Sequence, residues 1–472
     1  MNFTTRMLGV EQRFCDAVTM DTITRFVPLT TISAVVDDIG VGEQRVRKLS
    51  AGLTILVLIG MGLYSDLSIQ AVMQKMVKGV RLLWPDWEYQ PAKASALTQR
   101  RYQLGVRVLA RLFRRVCQPL AQAQTRGAFL FGLRLMALDG TKDDIPDTPE
   151  NAQVFGRHGG PKGGSAYPKV LSVLLTECGT HAVVDADFAP CYGSERDLGR
   201  RLLRSIGNGM LLTRTCQASG ASVFDRGFYS FDLICGAGQR GAQVLGRLAA
   251  HVKPKLLQPL PDGSYLADIF PSEARRRKRG ERLRVRVIEY TFTDPQRPGY
   301  QQLHRVFTTL LDPHQYPALD LVCAYHERWE VELVIDEMQV HQRLVNHTLR
   351  SLKPRGVIQE LYALLIAHYI VRAFMHEAAL AANINPDRLS FVGALRIIQD
   401  ALIEFQLAAP ACHPALVTRL LHDLARERLP ERRNRINPRV VKRTVIRFPR
   451  KRPENSHPAQ PSCSFRESVV LI

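Results

Sequence analysis

Apolar residues recur at three- and four-residue intervals through residues 26–124, the mark of amphipathic helices, with punctuation at Gly40-Val41-Gly42 and Trp84-Pro85-Asp86-Trp87. The clearest helix is predicted over 98–123. Val108, Leu109, Leu112, Phe113, Val116 and Leu120 share one side of it, Leu104 falls out of phase, and Arg100, Arg107, Arg111, Arg114 and Arg115 lie opposite. From about Gly127 the period shortens to two. Leu133-Arg134-Leu135-Met136-Ala137-Leu138 reads as a strand that stops at a turn, Asp139-Gly140-Thr141. Further strands are predicted at 169–176 and 182–188, a helix at 195–206, and short strands at 210–212, 222–224 and 242–246. Antiparallel strands that give way to strands alternating with helices imply a mixed sheet with helices on its faces.

Residues 248–316 interrupt that order. Alternation at 283–292 and again at 303–310 reads as an inserted β region. No Gly or Pro breaks residues 318–346, and Pro317 stands where a first helical turn tolerates proline, so one long helix is predicted there. Apolar helices follow at 356–382 and 387–406. The expected organisation is a leader (1–25), a helical N-terminal domain (26–124), an α/β domain with its insertion (125–410) and a helix with a basic tail (411–472).

Composition sharpens the picture at two points. Lys plus Arg exceed Asp plus Glu by 64 − 44 = 20 in 472 residues, which favours a polyanionic partner such as nucleic acid. Nine cysteines, scattered singly and without a CxxC pair, argue for reduced thiols and against a zinc site. The longest apolar run, 53–64, is too short to cross a bilayer, and the start lacks a signal peptide's apolar core. A soluble cytoplasmic protein, with no membrane partner, is therefore expected.

The candidate chemistry lies in Tyr325-His326-Glu327-Arg328-Trp329-Glu330-Val331-Glu332. At about 100° per residue, Arg328, Glu332, Gln339 and Arg343 fall within about 60° of Tyr325. A carboxylate flanked by an Arg, a phenol and an amide suits a metal ion beside a nucleic-acid backbone, with an ion-paired solvated face as the plain alternative. Asp139 and Asp225 end predicted strands at the sheet's edge, where a helix packing across could add Glu332. Three such carboxylates could hold two divalent cations about 4 Å apart. Asp143, Asp144 and Asp147 read as turn formers. The glycine-rich run 156–165 lacks the GxxxxGK[ST] order, so no nucleoside triphosphate site is read there. Dense positive charge recurs in Arg275-Arg276-Arg277-Lys278-Arg279 and in residues 426–452, where twelve Lys or Arg meet two Glu.

The spacing from Tyr325 to Arg328 to Glu332 resembles the signature helix of DDE transposases of the insertion-sequence-four family. Leu138-Asp139-Gly140-Thr141, with Asp144-Ile145-Pro146-Asp147-Thr148-Pro149-Glu150-Asn151 and Phe155-Gly156-Arg157 after it, is similar to that family's first catalytic block. Asp225-Arg226-Gly227-Phe228-Tyr229 is similar to its second. Residues 45–49 and 62–68 resemble its N-terminal helical domain, and Asn437-Pro438-Arg439-Val440-Val441-Lys442-Arg443 its C-terminal end.

The resemblance implies a ribonuclease-H-like, retroviral-integrase-like α/β core with an inserted β region, preceded by an all-helical domain. It implies a DNA transposase that cuts and rejoins element ends with two Mg²⁺ or Mn²⁺ ions held by Asp139, Asp225 and Glu332. Tyr325 and Arg328 would hold a phosphate of the DNA end. Arg343, Arg276, Arg277, Lys278, Arg107, Arg111, Arg439, Lys442 and Arg443 are the further candidate DNA contacts. The implied partners are double-stranded DNA, as terminal inverted repeats and target, and a second copy of the chain when synapsed on DNA at the bacterial nucleoid. Two departures stand out: Gln339 occupies the family's Lys position, and only Val223 and Phe224 are apolar immediately before Asp225. A transposase-derived DNA binder that no longer cuts, or a metal-dependent nuclease without strand transfer, would fit the same residues.

Overall fold

A computed structural model describes residues 3–9, 21–42, 49–86, 88, 90–160, 163–214, 230–248, 252–297, 299–327, 330–343, 348–430 and 460–472. In chain order the principal helices are α1 (Leu29–Ile39), α2 (Ala51–Leu63), α3 (Ala94–Val116), α4 (Glu195–Leu202), α5 (Phe231–Gln239), α6 (Ala274–Lys278), α7 (Ala318–Glu327), α8 (Glu330–Asp336), α9 (Pro354–Ala381), α10 (Phe391–Leu407) and α11 (His413–Arg426). The main strands are β1 (Leu133–Asp144), β2 (Lys169–Glu177), β3 (Val183–Pro190), β4 (Met210–Arg214), β5 (Gln243–Arg247), β6 (Lys255–Pro259), β7 (Tyr265–Ile269), β8 (Leu283–Phe292) and β9 (His304–Thr308). The chain forms two compact units, one from residues 1–128, 140–194 and 332–429, the other from 129–139, 195–331 and 430–472.

In the first unit α9 is the central element, packed against α2, α3, α10 and α11. It is long and apolar enough to cross a membrane by length and composition, a helix that the apolar run at 53–64 had overshadowed in the sequence. Yet 94% of its most apolar window is buried inside the protein, so its apolar surface is already covered by neighbouring helices. Helix α2 begins at Ser50, whose hydroxyl accepts from the Leu53 amide at 3.1 Å. A Cβ at Gly62 would meet the Ala367 Cβ at 2.7 Å and the Ala363 carbonyl at 2.9 Å, so glycine is what lets α2 and α9 cross in backbone contact. Helix α3 is broken at Gly105, where φ is 71°. That break resets the helical phase, which is why the out-of-phase Leu104 is nevertheless buried. On the strand side, β2 and β3 pair antiparallel from Val170↔Pro190 to Thr176↔Val183, and β1 neighbours β2.

In the second unit the early half of β1 pairs in parallel with β4, and β4 with β5. Beyond β5 the strands run antiparallel in the order β9, β8, β7, β6. A parallel core thus passes into an antiparallel meander within 255–308. Arg286 of β8 is fully buried there, and is held by Ser264 Oγ at 2.8 Å, the Tyr316 carbonyl at 2.6 Å and an ion pair with Asp262.

Two element boundaries differ from the sequence expectation. Strand β1 does not stop at Asp139 but runs on to Asp144, because Thr141 and Asp143 find side-chain partners that let polar residues continue a strand. The predicted helix over 318–346 is α7, α8 and then a π-helical turn, Glu337–Gln342. A π turn adds residues per turn and rotates every side chain after it. The predicted strand 222–224 and Asp225 lie outside the described residues.

Candidate functional site

Asp139 sits within β1 and is 1% exposed, while Glu332, in the first turns of α8, is half-buried. Strand alternation puts Asp139, Thr141 and Asp143 on one face of β1. The π turn after α8 carries Gln339, and Arg343 follows at its end. Strand and turn meet at these later residues. Gln339 Nε2 donates to Thr141 Oγ1 at 2.8 Å and to Asp143 Oδ1 at 2.9 Å, and Arg343 Nη1 donates to the same Asp143 oxygen at 2.5 Å. Ser172 Oγ donates to the other Asp143 oxygen at 3.3 Å. Asp143 is therefore a buried acceptor in a strand, not a turn former.

Arg343, expected to reach DNA, is 7% exposed and is committed to Asp143. Arg276, expected to do the same, is tied by its guanidinium to Asp232 and Glu281, each at 2.7 Å, and to Glu273 at 3.1 Å. The one-turn α6 thereby anchors to α5 through its middle residue, while Arg277 and Lys278 stay exposed. Arg107 and Arg111 are exposed on α3, Arg111 lying 3.2 Å from Asp38. Asp225, Arg328, Arg439, Lys442 and Arg443 lie outside the described residues.

Tyr325 is buried on α7 and lines a pocket of about 180 Å³ with Arg247, Tyr290, His304, Arg305 and His326. Sequence reading missed Arg247 and Arg305. The register Val306↔Arg247 sets them on neighbouring strands, and a basic residue closing the apolar run of β5 was the signal that could have found the first.

A second buried polar group anchors the π turn. Glu337 is 8% exposed and accepts from Arg372 Nε at 2.9 Å, with His368 Nε2 at 3.1 Å and His181 Nδ1 at 3.2 Å. Burial raises the Glu337 carboxyl, but the charges of Arg372 and His181 outweigh it and hold the group well below the usual carboxylate range. Burial pushes the His368 imidazole down, against the upward pull of Glu337. In both cases the unfolded chain binds a proton at a higher pH than the folded one, so stability is lost as pH falls. Thermal unfolding followed from neutral pH downward should show a first loss below about pH 6.5, where an unfolded histidine takes its proton, and a second below about pH 4.3. His368→Gln should flatten the first and leave the second.

Hard oxygen donors such as Asp139 and Glu332 suit Mg²⁺ or Mn²⁺ rather than a soft metal. Among the described residues no three His, Cys, Asp or Glu side chains group closely enough to hold an ion, the third acid of the expected triad being Asp225.

The chain thus combines a helical N-terminal region with a mixed sheet that carries Asp139 on β1. Residues 17–114 match the family described as insertion element 4 transposase N-terminal, and residues 130–370 match the transposase DDE domain. With more than half of its length matched by the latter, the chain belongs to the DDE transposases of the insertion element 4 family. Among similar proteins, the InsG transposase for insertion sequence element IS4 of Escherichia coli K12 is 28% identical over 430 residues, covering 89% of this chain and 91% of that protein. The putative transposase InsZ of the same strain is 32% identical over 154 residues, 31% of this chain and 46% of that protein. A cryo-EM structure of a piggyBac transposase synaptic complex with hairpin DNA aligns over 89% of this chain and 88% of that one, with 13% identity and a TM-score of 0.42. The protein is a DNA-binding enzyme that moves DNA with divalent metal ions.

Proposed function

We propose that Asp139, Asp225 and Glu332 hold two Mg²⁺ or Mn²⁺ ions at the end of the insertion element and that the chain cuts there and joins the freed end to target DNA. The observation that carries this reading is the meeting of β1 with the π turn. Arg343 engages Asp143, and Gln339 engages Thr141 and Asp143, so strand and helix advance in the same sense. The chemistry such ions supply is polarisation of the attacking and leaving oxygens, so no covalent protein–DNA intermediate is needed.

Tyr325 and Arg328 hold a phosphate of the DNA end, and the pocket beside Tyr325, with Arg247 and Arg305, has the charge to assist them. Arg107, Arg111, Arg277, Lys278, Arg439, Lys442 and Arg443 track the backbone of the terminal inverted repeats or the target. Work on two ends at once calls for two copies of the chain on DNA in the cytoplasmic nucleoid. Each surface contact has a salt signature. Arg277→Ala and Lys278→Ala should each flatten the slope of log affinity against log salt by about 0.9, whereas Arg276→Ala, whose cation is held by three carboxylates, should leave that slope unchanged.

The testing experiment incubates the protein with Mn²⁺, duplex carrying the element's own end and a plasmid target. Nicked ends and joined products are expected from the wild type and neither from Asp225→Ala. Binding without nicking by the wild type would support a transposase-derived DNA binder that no longer cuts, a repressor or a relic, and nicking without joining a nuclease.

A further inference from the structure

We propose that Gln339 is a positioning residue that holds the helix of Glu332 in register with the strand of Asp139, and that it does not touch DNA. The inference rests on the metal-ligand assignment above and deepens it. Both N–H groups of a side-chain amide can donate, and here Nε2 spends them on Thr141 Oγ1 and Asp143 Oδ1. The acceptors lie two and four residues beyond Asp139 in β1, and the donor lies seven beyond Glu332, within the π turn that continues α8. Asp143 is 6% exposed and its charge is balanced by Arg343, so a neutral amide completes its hydrogen bonds without adding an unpaired cation.

Two further observations point inward. The cavity bounded by Thr141, Asp143, Ser172, Gln339 and Arg343 has a volume of about 10 Å³, room for one water at most and none for a phosphate. Gln342, three residues on, donates to the Gly62 and Leu364 carbonyls at 3.1 Å each, which fixes the rotation of the π turn from its other side. A helix clamped on both sides keeps the acid at its start in place. Side chains that orient ligands in this manner are worth about 10–100-fold in metal affinity.

The test separates metal binding from DNA binding on the full-length protein. Mn²⁺ affinity is read from the EPR signal of the free ion, and affinity for a duplex of arbitrary sequence from fluorescence anisotropy across a salt series without metal. Gln339→Leu should weaken Mn²⁺ binding about tenfold and leave DNA affinity and its salt slope unchanged. Thr141→Val, which removes one acceptor without opening a cavity, should weaken Mn²⁺ binding less. Gln339→Lys keeps a donor toward the same oxygens, so it should retain most of the Mn²⁺ affinity with no change of slope. Wild-type Mn²⁺ affinity in a folded Gln339→Leu variant would overturn the proposal, as would a slope steeper by about 0.9 in Gln339→Lys. Glu332→Ala is the control: wild-type Mn²⁺ affinity there would mean that the ligand assignment itself fails. Loss there, with none in Gln339→Leu, would remove the positioning role alone.

Discussion

Asp139→Asn and Glu332→Ala should each lower Mn²⁺-dependent cleavage of the element's terminal DNA by about 10³-fold or more, equivalent to about 4 kcal/mol of transition-state stabilisation. Asp139 is 1% exposed inside a strand, so its exchange for the isosteric amide keeps the packing and removes only the charge. Glu332 is half-buried near the start of its helix, and truncation there leaves no sealed cavity. Neither variant should lose duplex affinity, since neither acid neutralises a phosphate. The ratio of cleavage rate to binding constant, measured in parallel for both variants, checks this. Cleavage within tenfold of wild type in either would remove that acid from the site.

Arg372→Ala should be the most destabilising single change in the first unit, by about 3–5 kcal/mol. Arg372 is 3% exposed and supplies a full positive charge to Glu337, which is itself buried and also accepts from the His181 and His368 imidazoles. Truncation leaves a buried carboxylate that must either stay charged and unpaired or take a proton. Replacing both partners by apolar residues removes that conflict, so Glu337→Leu with Arg372→Met should cost less than Arg372→Ala alone. Urea unfolding of the two variants at neutral pH is the measurement. A double variant less stable than the single would show that the ion pair is a net gain rather than a mutual neutralisation.

Much of the chain was legible before any coordinates. The strands at 169–176 and 182–188 are observed as Lys169–Glu177 and Val183–Pro190, and the helix at 195–206 as Glu195–Leu202 with a short 3-10 turn after it. Their signals are local: period-two alternation and an amphipathic run bounded by turn residues. Errors came where a distant partner changed the meaning of a local signal. Asp139-Gly140-Thr141 has the composition of a turn, yet it continues a strand because residues two hundred positions later satisfy its polar side chains. Arg101 belongs to a basic helix, yet it is 1% exposed and bonded to Ser351 and Gln359. The positive φ of Gly105 explains both Leu104 and the buried arginine.

Order along the chain sufficed to name the family, because Tyr325, Arg328 and Glu332, with Asp139 and Asp225 in their blocks, are a matter of residue type and spacing. Net charge likewise announced a polyanionic partner. Which cations are free to meet it could not be read that way. Arg276 and Arg343 look the same in sequence as Arg277 and Lys278, but the first two are held by carboxylates brought from other elements. The inward turn of Gln339 and the burial of the Glu337 cluster belong to the same class. A side chain's charge and shape are properties of its residue, whereas its freedom to act depends on which distant groups folding sets within 3 Å of it.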